Sequence, residues 1–335
     1  MSKDKSKKPS KKKTSQAKGA YIGTAAALAG IVCGAPVPAS ERSVEGAYDL
    51  HCHSVFSDGE FTVDQLIAQA REAGLAGLAI TDHDSLSQLS FIRDRARDLD
   101  FPVLAVIEVS CVNSKTGKKV HILGYGLEAT SDLSSTLEQI AANTQYQRTA
   151  NTLWQAAQLK AAGVEFGGKH VSLDEACEVA RLSTSVYKTH LMEALTGGRP
   201  KNDPDYQVCW KHYFGRDGIA PKSIDYPEVK KVIRAIRELG GVPVLAHPGQ
   251  KDSWSAIPDM VKWGLMGIEA YHPDHDEADV ARAFEAAAEH DLFVTGGSDF
   301  HGKYSKSLSL GAAYAMPSES GERVAKLFDL ERTLH

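Results

Sequence analysis

The chain has few cysteines, and they are not grouped. Its 335 residues include five cysteines, an odd number, and none of them stands in a C-x-x-C pair. Disulfide frameworks and thiolate zinc sites usually show even sets of cysteines at such spacings. The sequence therefore favours neither kind of site, and its cysteine usage fits a reducing compartment best.

Long apolar runs are also missing. The apolar stretch over residues 21–32 is too short to cross a bilayer, which takes about 20 residues. It has the length of a signal-peptide core, and it lies between a lysine-rich start and a small-residue site near Val37-Pro38-Ala39. Its glycines weaken this likeness. We therefore predict a cytoplasmic protein with no transmembrane segment, and export through the signal-like segment is the alternative.

Positive charge is concentrated at one end of the chain. Residues 1–18 hold eight lysines and one aspartate, whereas the whole chain has a net charge of −5. The remainder is therefore acidic, which argues against extensive sequence-independent binding of long nucleic acid but leaves room for a short anionic substrate. We predict that the basic tail is disordered, with an anionic polymer or surface as its candidate partner.

From Ala47 onward, short apolar runs alternate with amphipathic helical patterns, as is typical of an α/β fold with parallel strands. Helical patterns alone fill most of the region between Thr130 and Tyr226. About seven apolar runs can be counted outside it, which predicts a slightly irregular (β/α) barrel. The predicted parts are a basic tail over 1–46, a first barrel part over 47–130, a helical insertion over 131–225 that covers the site, and a second barrel part over 226–335.

Histidines and carboxylates follow the predicted strands at the points where these end. Four clusters have this position, namely His51-Cys52-His53 with Asp58, Thr81-Asp82-His83, Glu108 with His121, and Ser298-Asp299-Phe300-His301, and His247 adds a further imidazole. The carboxyl ends of barrel strands converge on one face and can gather residues that are distant in sequence. Imidazole and carboxylate groups bind divalent ions. The sequence therefore predicts a metal centre and a hydrolase.

Six segments in this order carry a resemblance to a known family. They are DLHCHSVFSDG (49–59), ITDHDS (80–85), IEVS (107–110), HILGYG (121–126), LAHPG (245–249) and GSDFHG (297–302). Together they resemble the polymerase-and-histidinol-phosphatase (PHP) family of metal-dependent phosphoesterases. Within it, HILGYG and SDFHG point to the branch of nucleoside 3′,5′-bisphosphate phosphatases and 5′–3′ oligoribonucleotidases. The resemblance implies an irregular (β/α)7 PHP barrel with a helical insertion subdomain.

The same resemblance implies three divalent metal ions. One ion would be held by His51, His53, Glu108 and Asp299, a second by Glu108, His121 and His247, and a third by Asp58, His83 and His301. A carboxylate shared between two ions is reasonable at Glu108, because its negative charge offsets their repulsion. Mn²⁺ is the expected metal, with Zn or Fe as alternatives, since a mixed set of imidazoles and carboxylates accommodates all three.

The implied reaction is hydrolysis of a phosphate ester. A hydroxide bridging two ions would attack phosphorus, because a bound cation lowers the pKa of water to about 7. Glu108 and Asp299 would be the catalytic carboxylates through their metals, and His272 would protonate the leaving oxygen. The candidate substrate-binding residues are Arg148, Lys188, His190 and His275, with Arg199 as a further cation of the insertion. The branch usually presents an arginine near the position of Lys188, so substrate preference here would differ.

The predicted function is removal of a phosphate from a nucleoside 3′,5′-bisphosphate, together with trimming of short RNA from its 5′ end. Histidinol-phosphate phosphatase, or another small-molecule phosphatase, is the first alternative, because it shares the metal centre. A non-catalytic PHP module that serves as a structural partner is the alternative from another class. Degenerate modules lose ligands, whereas every implied ligand is present here. The sequence specifies no protein partner.

Overall fold

The structure is a computed structural model that describes residues 35–128, 135–305 and 309–334. The predictions for the basic tail and for the apolar stretch over 21–32 fall on residues 1–34 and lie outside the described residues. The start of the predicted insertion, at 131–134, lies outside them as well.

The strands form two main sheets and a small hairpin. The first sheet is parallel and has the order β1-β2-β3, with β1 (Tyr48–Cys52), β2 (Gly77–Ile80) and β3 (Val103–Ala105). The second has the order β10-β9-β8-β5-β4. Its strands are β4 (Ile107–Asn113), β5 (Lys118–Tyr125), β8 (Val242–Leu245), β9 (Gly267–Tyr271) and β10 (Phe293–Gly296). The hairpin pairs β6 (Glu165–Phe166) with β7 (Lys169–His170).

The prediction of a mixed α/β fold is confirmed, but the strands of the described ranges do not close into a barrel. Where the two sheets meet, they are joined by isolated bridges, from Cys52 to Phe300 and from His83 to Glu108. The pair β4–β5 is antiparallel, and so is the pair β5–β8, which interrupts the parallel pattern. Asp84 and Asp299 follow strands with φ angles of 50° and 49°, so the chain leaves the extended conformation there.

Helices cover the outer faces of the sheets and form a separate unit in the middle of the chain. They are α1 (Val63–Glu72), α2 (Leu89–Asp98), α3 (Thr136–Ala161), α4 (Leu173–Val179), α5 (Lys188–Thr196), α6 (Pro204–Phe214), α7 (Val229–Glu238), α8 (Pro248–Lys251), α9 (Ile257–Trp263), α10 (Glu277–His290) and α11 (Pro317–Glu331).

The first helix shows how the sequence defines these elements. The Thr62 side chain accepts a hydrogen bond from the Gln65 N–H, and the Gln65 side chain accepts one from the Thr62 N–H, so a capping box fixes the start of α1. Its buried side chains have the spacing of one helix face and are Val63, Leu66, Ile67 and Ala70. They pack into the main apolar core against the strands.

Helices α3 to α6 share an apolar cluster of their own. Leu159 of α3, Leu191 and Met192 of α5 and Tyr206 of α6 are buried in it. This cluster is distinct from the core beneath the sheets, so these helices pack on one another as a unit, called here the α3–α6 unit. The exact boundaries predicted for the insertion, 131–225, remain a prediction.

Candidate metal centre

The predicted metal ligands come from separate segments, and their side chains meet where β1, β2, β8 and β10 end. His51 is the penultimate residue of β1, Glu108 and His121 lie within β4 and β5, and His247 follows β8. Three sets of these side chains place ligand atoms within 4.8 Å of one another. The sets are His51, His53, Glu108 and Asp299; His53, Asp58, His83 and His301; and His83, Glu108 and His121.

Glu108 occupies the middle of this arrangement. Its Oε1 lies 2.7 Å from His121 Nδ1 and 3.1 Å from His247 Nε2. Its Oε2 lies 3.0 Å from His83 Nδ1 and 3.2 Å from His53 Nε2. One buried carboxylate therefore has imidazole nitrogens around both oxygens, which is the position that a carboxylate shared between two cations would take.

The other two carboxylates lie on either side of the same histidines. Asp299 Oδ1 is 3.3 Å from His53 Nε2 and 3.5 Å from His51 Nε2. Asp58 Oδ1 is 3.5 Å from His301 Nε2. The His301 Nδ1–H donates to the Asp299 carbonyl oxygen at 2.8 Å, which leaves Nε2 as the nitrogen that faces Asp58.

Several buried polar atoms of this cluster have no partner with hydrogen-bond geometry among the described residues, although some of them lie close to one another. They are His51 Nε2, His53 Nε2, Asp58 Oδ1, His83 Nδ1, Glu108 Oε2 and His247 Nδ1. A buried polar atom without a partner costs about 1–3 kcal/mol, so six in one cluster would be a large penalty unless something binds them. Imidazole nitrogens and carboxylate oxygens are suitable ligands for divalent cations. The residues present therefore fit bound metal ions.

The carboxylates of the centre are held in the ionised form. Burial tends to raise the pKa of Glu108, but the imidazoles of His121, His83 and His51 outweigh it and hold that pKa well below its usual range. Burial likewise opposes the ionisation of Asp299, and the nearby imidazoles lower its pKa as well. Burial lowers the pKa of His121 to about 3, so this imidazole is neutral and has a free lone pair at neutral pH.

A further buried carboxylate, Glu269 of β9, orients the His51 ring and binds the backbone of His247. The His51 Nδ1–H donates to its Oε1 at 3.0 Å, and the His247 backbone N–H donates to its Oε2 at 2.8 Å. Such partners fix the ring orientation of metal-binding histidines. Glu269 was not predicted from the sequence, although a lone charged residue inside a short apolar run that predicts a buried strand was a usable signal.

His272 and His275, which follow β9, differ in their hydrogen-bond partners. The Asp274 N–H donates to His272 Nδ1 at 3.0 Å, and His272 Nε2 lies 3.4 Å from Asp299 Oδ2, so the ring reaches the cluster. His275 is engaged with the backbone at both nitrogens. Its Nδ1–H donates to the Ala270 carbonyl at 2.8 Å, and its Nε2 accepts from the Gly249 N–H at 3.0 Å.

The predicted substrate residues of the α3–α6 unit do not all point to open space. Arg148 forms an ion pair with the buried carboxylate of Asp84. Arg199 pairs with Asp203 at 2.8 Å. His190 is buried, and its Nδ1 accepts from the Tyr187 N–H at 3.2 Å. Lys188 is the member of the set that lines a cavity without a carboxylate partner among its described contacts.

That cavity lies beside Asp58 and has a volume of about 200 Å³. Its lining includes the cations Lys119, Arg148 and Lys188 and the aromatic residues Tyr187, Trp210 and Tyr226. Asp58 is the only acidic residue among the described residues that line it. We call it the cationic cavity. Lys119 was not predicted from the sequence, although it stands two residues before His121 on β5 and therefore shares its face of the strand.

A second, smaller cavity reaches the cluster at Asp299 and His301. Lys201 and Gln250 are among its other lining residues. The described residues therefore leave open space at two places beside the predicted ligands. None of the helices within the described ranges combines the length and the apolar composition needed to span a membrane.

Comparison with known proteins gives a consistent result. The profile of the PHP domain matches residues 49–220. The phosphoribosyl 1,2-cyclic phosphate 1,2-diphosphodiesterase of Eggerthella lenta is 42% identical over 263 residues, which cover 78% of this chain and 97% of that protein. The 3′,5′-nucleoside bisphosphate phosphatase of Chromobacterium violaceum is 30% identical over 263 residues, which cover 76% of this chain and 86% of that protein.

A solved structure shares the fold. It is that of a proposed metal-dependent phosphoesterase from Bifidobacterium adolescentis, with a TM-score of 0.72 and 26% sequence identity. The match covers 87% of this chain and 98% of that one. The similarity therefore extends over most of this chain and nearly all of that one.

Proposed function

Because the chain belongs to the PHP family of metal-dependent phosphoesterases, we propose that it hydrolyses a phosphate ester on a small ribose that carries a second phosphate. The observation that supports this choice is the cationic cavity. Lys119, Arg148 and Lys188 converge there, and the one acidic residue in the described lining is the predicted metal ligand Asp58. An ester bound at the metal centre would leave a second phosphate within reach of Lys119 and Lys188, while Arg148 is paired with Asp84.

The proposed metal ligands are the nine side chains implied by the resemblance. The contacts around Glu108 and Asp299 support the first ion, and those of Glu108 with His121 and His247 support the second. Asp58 and His301 support the third. His83 stands between the second and third positions, because its Nδ1 is 3.0 Å from Glu108 and its Nε2 is 3.9 Å from Asp58.

Divalent ions, with Mn²⁺ as the expected metal, would supply an activated water and withdraw charge from the phosphoryl oxygens. His272, the proton donor predicted from the sequence, would stabilise the leaving oxygen by a hydrogen bond. Its Nδ1 accepts the Asp274 N–H, which leaves Nε2 as the nitrogen that can donate, and Nε2 faces Asp299 and the cluster. The Nε2–H would donate a hydrogen bond to the leaving oxygen, which would take up its proton from water.

Two substrates meet this description. Phosphoribosyl 1,2-cyclic phosphate is the first candidate, because the relative that acts on it is 42% identical and is matched over 97% of its length. A nucleoside 3′,5′-bisphosphate is the second, because Trp210 and Tyr226 in the cationic cavity offer aromatic faces on which a base can stack. Trimming of a short 5′-phosphorylated RNA would use the same contacts.

A substrate panel tests the proposal. We would compare kcat/KM of the Mn²⁺-loaded protein for phosphoribosyl 1,2-cyclic phosphate, adenosine 3′,5′-bisphosphate, a short 5′-phosphorylated RNA and histidinol phosphate. Ribose 1,2-cyclic phosphate and 3′-AMP are the matched substrates without the second phosphate. We expect removal of that phosphate to lower kcat/KM by about 10- to 100-fold, as for the loss of a charged hydrogen bond.

The variant Lys188→Met separates the contribution of the cavity from that of the metal centre. It should lower kcat/KM for the substrates with a second phosphate and leave the values for the matched substrates nearly unchanged. Equal turnover with and without the second phosphate, or a clear preference for histidinol phosphate, would contradict the proposal.

A further inference from the structure

The α3–α6 unit is attached to the loops that carry the predicted metal ligands by hydrogen bonds to their backbone. The Tyr187 hydroxyl donates to the carbonyl of His83 at 3.2 Å. The Gln145 side-chain amide donates to the carbonyl of Asp84 at 2.8 Å. The Thr184 N–H donates to the carbonyl of Phe56 at 2.9 Å, two residues before Asp58. Each of these bonds therefore holds a loop backbone close to a ligand.

Asp84 links this unit to the strand that carries Glu108. Its backbone N–H donates to the Glu108 carbonyl at 2.9 Å, and its Oδ1 accepts from the Ser110 N–H at 2.9 Å. Its Oδ2 pairs with Arg148, whose guanidinium also donates to Ser110 Oγ at 3.2 Å. The residue is buried and has a φ angle of 50°, a conformation that needs support from its surroundings.

Tyr187 lies between the arginine and the metal ligand. Arg148 Cζ is 4.7 Å from the centre of the Tyr187 ring. That ring in turn stacks on His83, with 6.2 Å between centroids and 28° between planes. His190, one turn along α5, accepts the Tyr187 N–H and hydrogen-bonds the backbone of Ser57. The same few side chains thus touch the loops of both His83 and Asp58.

We propose that Tyr187 and Arg148 are positioning residues, which hold the His83-Asp84 turn so that His83 faces the other ligands. This inference rests on the proposed function of the centre. Arg148 then acts through Asp84 and is not the residue that binds the second phosphate, a role left to Lys119 and Lys188. Packing of the α3–α6 unit against these loops is then coupled to formation of the ligand set around His83.

The test is a titration of metal-stripped full-length protein with Mn²⁺, with free Mn²⁺ followed by electron paramagnetic resonance. Tyr187→Phe keeps the ring and removes the hydroxyl that donates to His83. We expect it to weaken the weakest-bound Mn²⁺ about tenfold, the low end of the effect of losing a partner of a metal ligand. Arg148→Met should weaken it further, and Arg148→Lys should restore part of the loss.

Lys188→Met is the matched control, because it removes a neighbouring cation of the same cavity that forms no hydrogen bond or ion pair with the ligand loops among the described residues. It should bind Mn²⁺ as the wild type does while its KM for the phosphate-bearing substrate rises. Circular dichroism melting of Tyr187→Phe establishes that this variant is folded, so the result does not depend on Arg148→Met.

The proposal would be overturned if both Tyr187→Phe and Arg148→Lys bound Mn²⁺ with wild-type affinity and Arg148→Lys had a raised KM. Arg148 would then be a substrate ligand. A negative substrate panel is a different outcome. If no substrate is hydrolysed and Tyr187→Phe still loses Mn²⁺ affinity, the proposed function fails and the positioning role stands.

Discussion

Lys188 has an unusual environment for a surface lysine. It is partly buried, and burial, followed by the nearby charges of Lys119 and Arg148, lowers its pKa to about 8. Its ammonium group is therefore close to losing its proton under mildly alkaline conditions. This matters for binding, because only the protonated form attracts a phosphate.

We predict that KM for a substrate with a second phosphate rises as the pH increases through about 8. The lysine is cationic below this pKa and neutral above it, while the substrate phosphate, with a second pKa of about 6, stays doubly charged throughout. Lys188→Arg keeps its charge, so its KM should stay level from about pH 7 to about pH 9. The same rise in both proteins would show that another group is responsible.

We predict that Glu269 affects Mn²⁺ affinity as strongly as several of the predicted metal ligands do. Glu269→Gln replaces the carboxylate that accepts from the His51 ring and from the His247 backbone N–H, so the His51 imidazole loses its fixed orientation and the His247 backbone loses a hydrogen-bond partner. We expect Mn²⁺ affinity to fall by about 10- to 100-fold. Glu289→Gln, on the exposed side of α10, is the control. Identical Mn²⁺ binding by the two variants would exclude the orienting role.

The sequence predicted the residues that meet at the centre better than it predicted their supporting contacts. His51, Glu108 and Asp299 could be selected because histidines and carboxylates at strand ends have few other common roles. Glu269 and Lys119 were missed because their role depends on which strand lies beside which. Arg148 was identified as a cation over the site, but its partner Asp84 is a contact between distant segments that residue type does not specify.

At the scale of elements, the strand ends approach one another so closely that one position needs glycine. A Cβ atom on Gly297, just after β10, would lie 2.3 Å from the Cβ of His51 and 2.4 Å from its backbone nitrogen. Such distances cannot be accommodated without moving one backbone segment. The position of His51 in the centre is therefore set partly by the absence of a side chain at residue 297.

We predict that Gly297→Ala displaces His51, with a loss of stability of about 1–3 kcal/mol and weaker Mn²⁺ binding. Gly117→Ala, in the turn between β4 and β5, is the matched control. Gly117 has a φ angle of 70° and open space around it, so the change costs about 1 kcal/mol of backbone strain and leaves the metals in place. Thermal melting and Mn²⁺ titration measure both effects, and equal Mn²⁺ affinities would contradict the steric account.

The helices and strands were largely predictable from the sequence, whereas the absence of a closed barrel among the described strands was not. Apolar periodicity identified α1 and the short buried runs that became strands, because burial on one face leaves a direct pattern in the sequence. To predict whether the strands close into a barrel, one must know which strands pair with which. Asp84 and Asp299 have left-handed backbone conformations next to the isolated bridges that join the two sheets, and nothing in the residue pattern indicated them.

At the scale of the whole molecule, the charge in the cationic cavity is opposite in sign to the net charge of the chain. The chain has a net charge of −5, yet three cations converge in one cavity beside Asp58. Arg148 is paired with Asp84, whereas the mutual repulsion of Lys119 and Lys188 is unfavourable until an anion is bound, so the cavity is suited to a phosphate. The metal centre and the cavity together would hold a small substrate that carries two phosphates.

The most direct test of the account combines a metal count with turnover in wild type and Glu108→Gln. Glu108 contacts four of the predicted imidazole ligands within 3.2 Å, so its replacement should disturb more than one ion. We predict about three Mn²⁺ per chain in the wild type, fewer in Glu108→Gln, and a loss of kcat of at least about 10³-fold on the best substrate of the panel. An unchanged metal count and an unchanged turnover in Glu108→Gln would contradict the account.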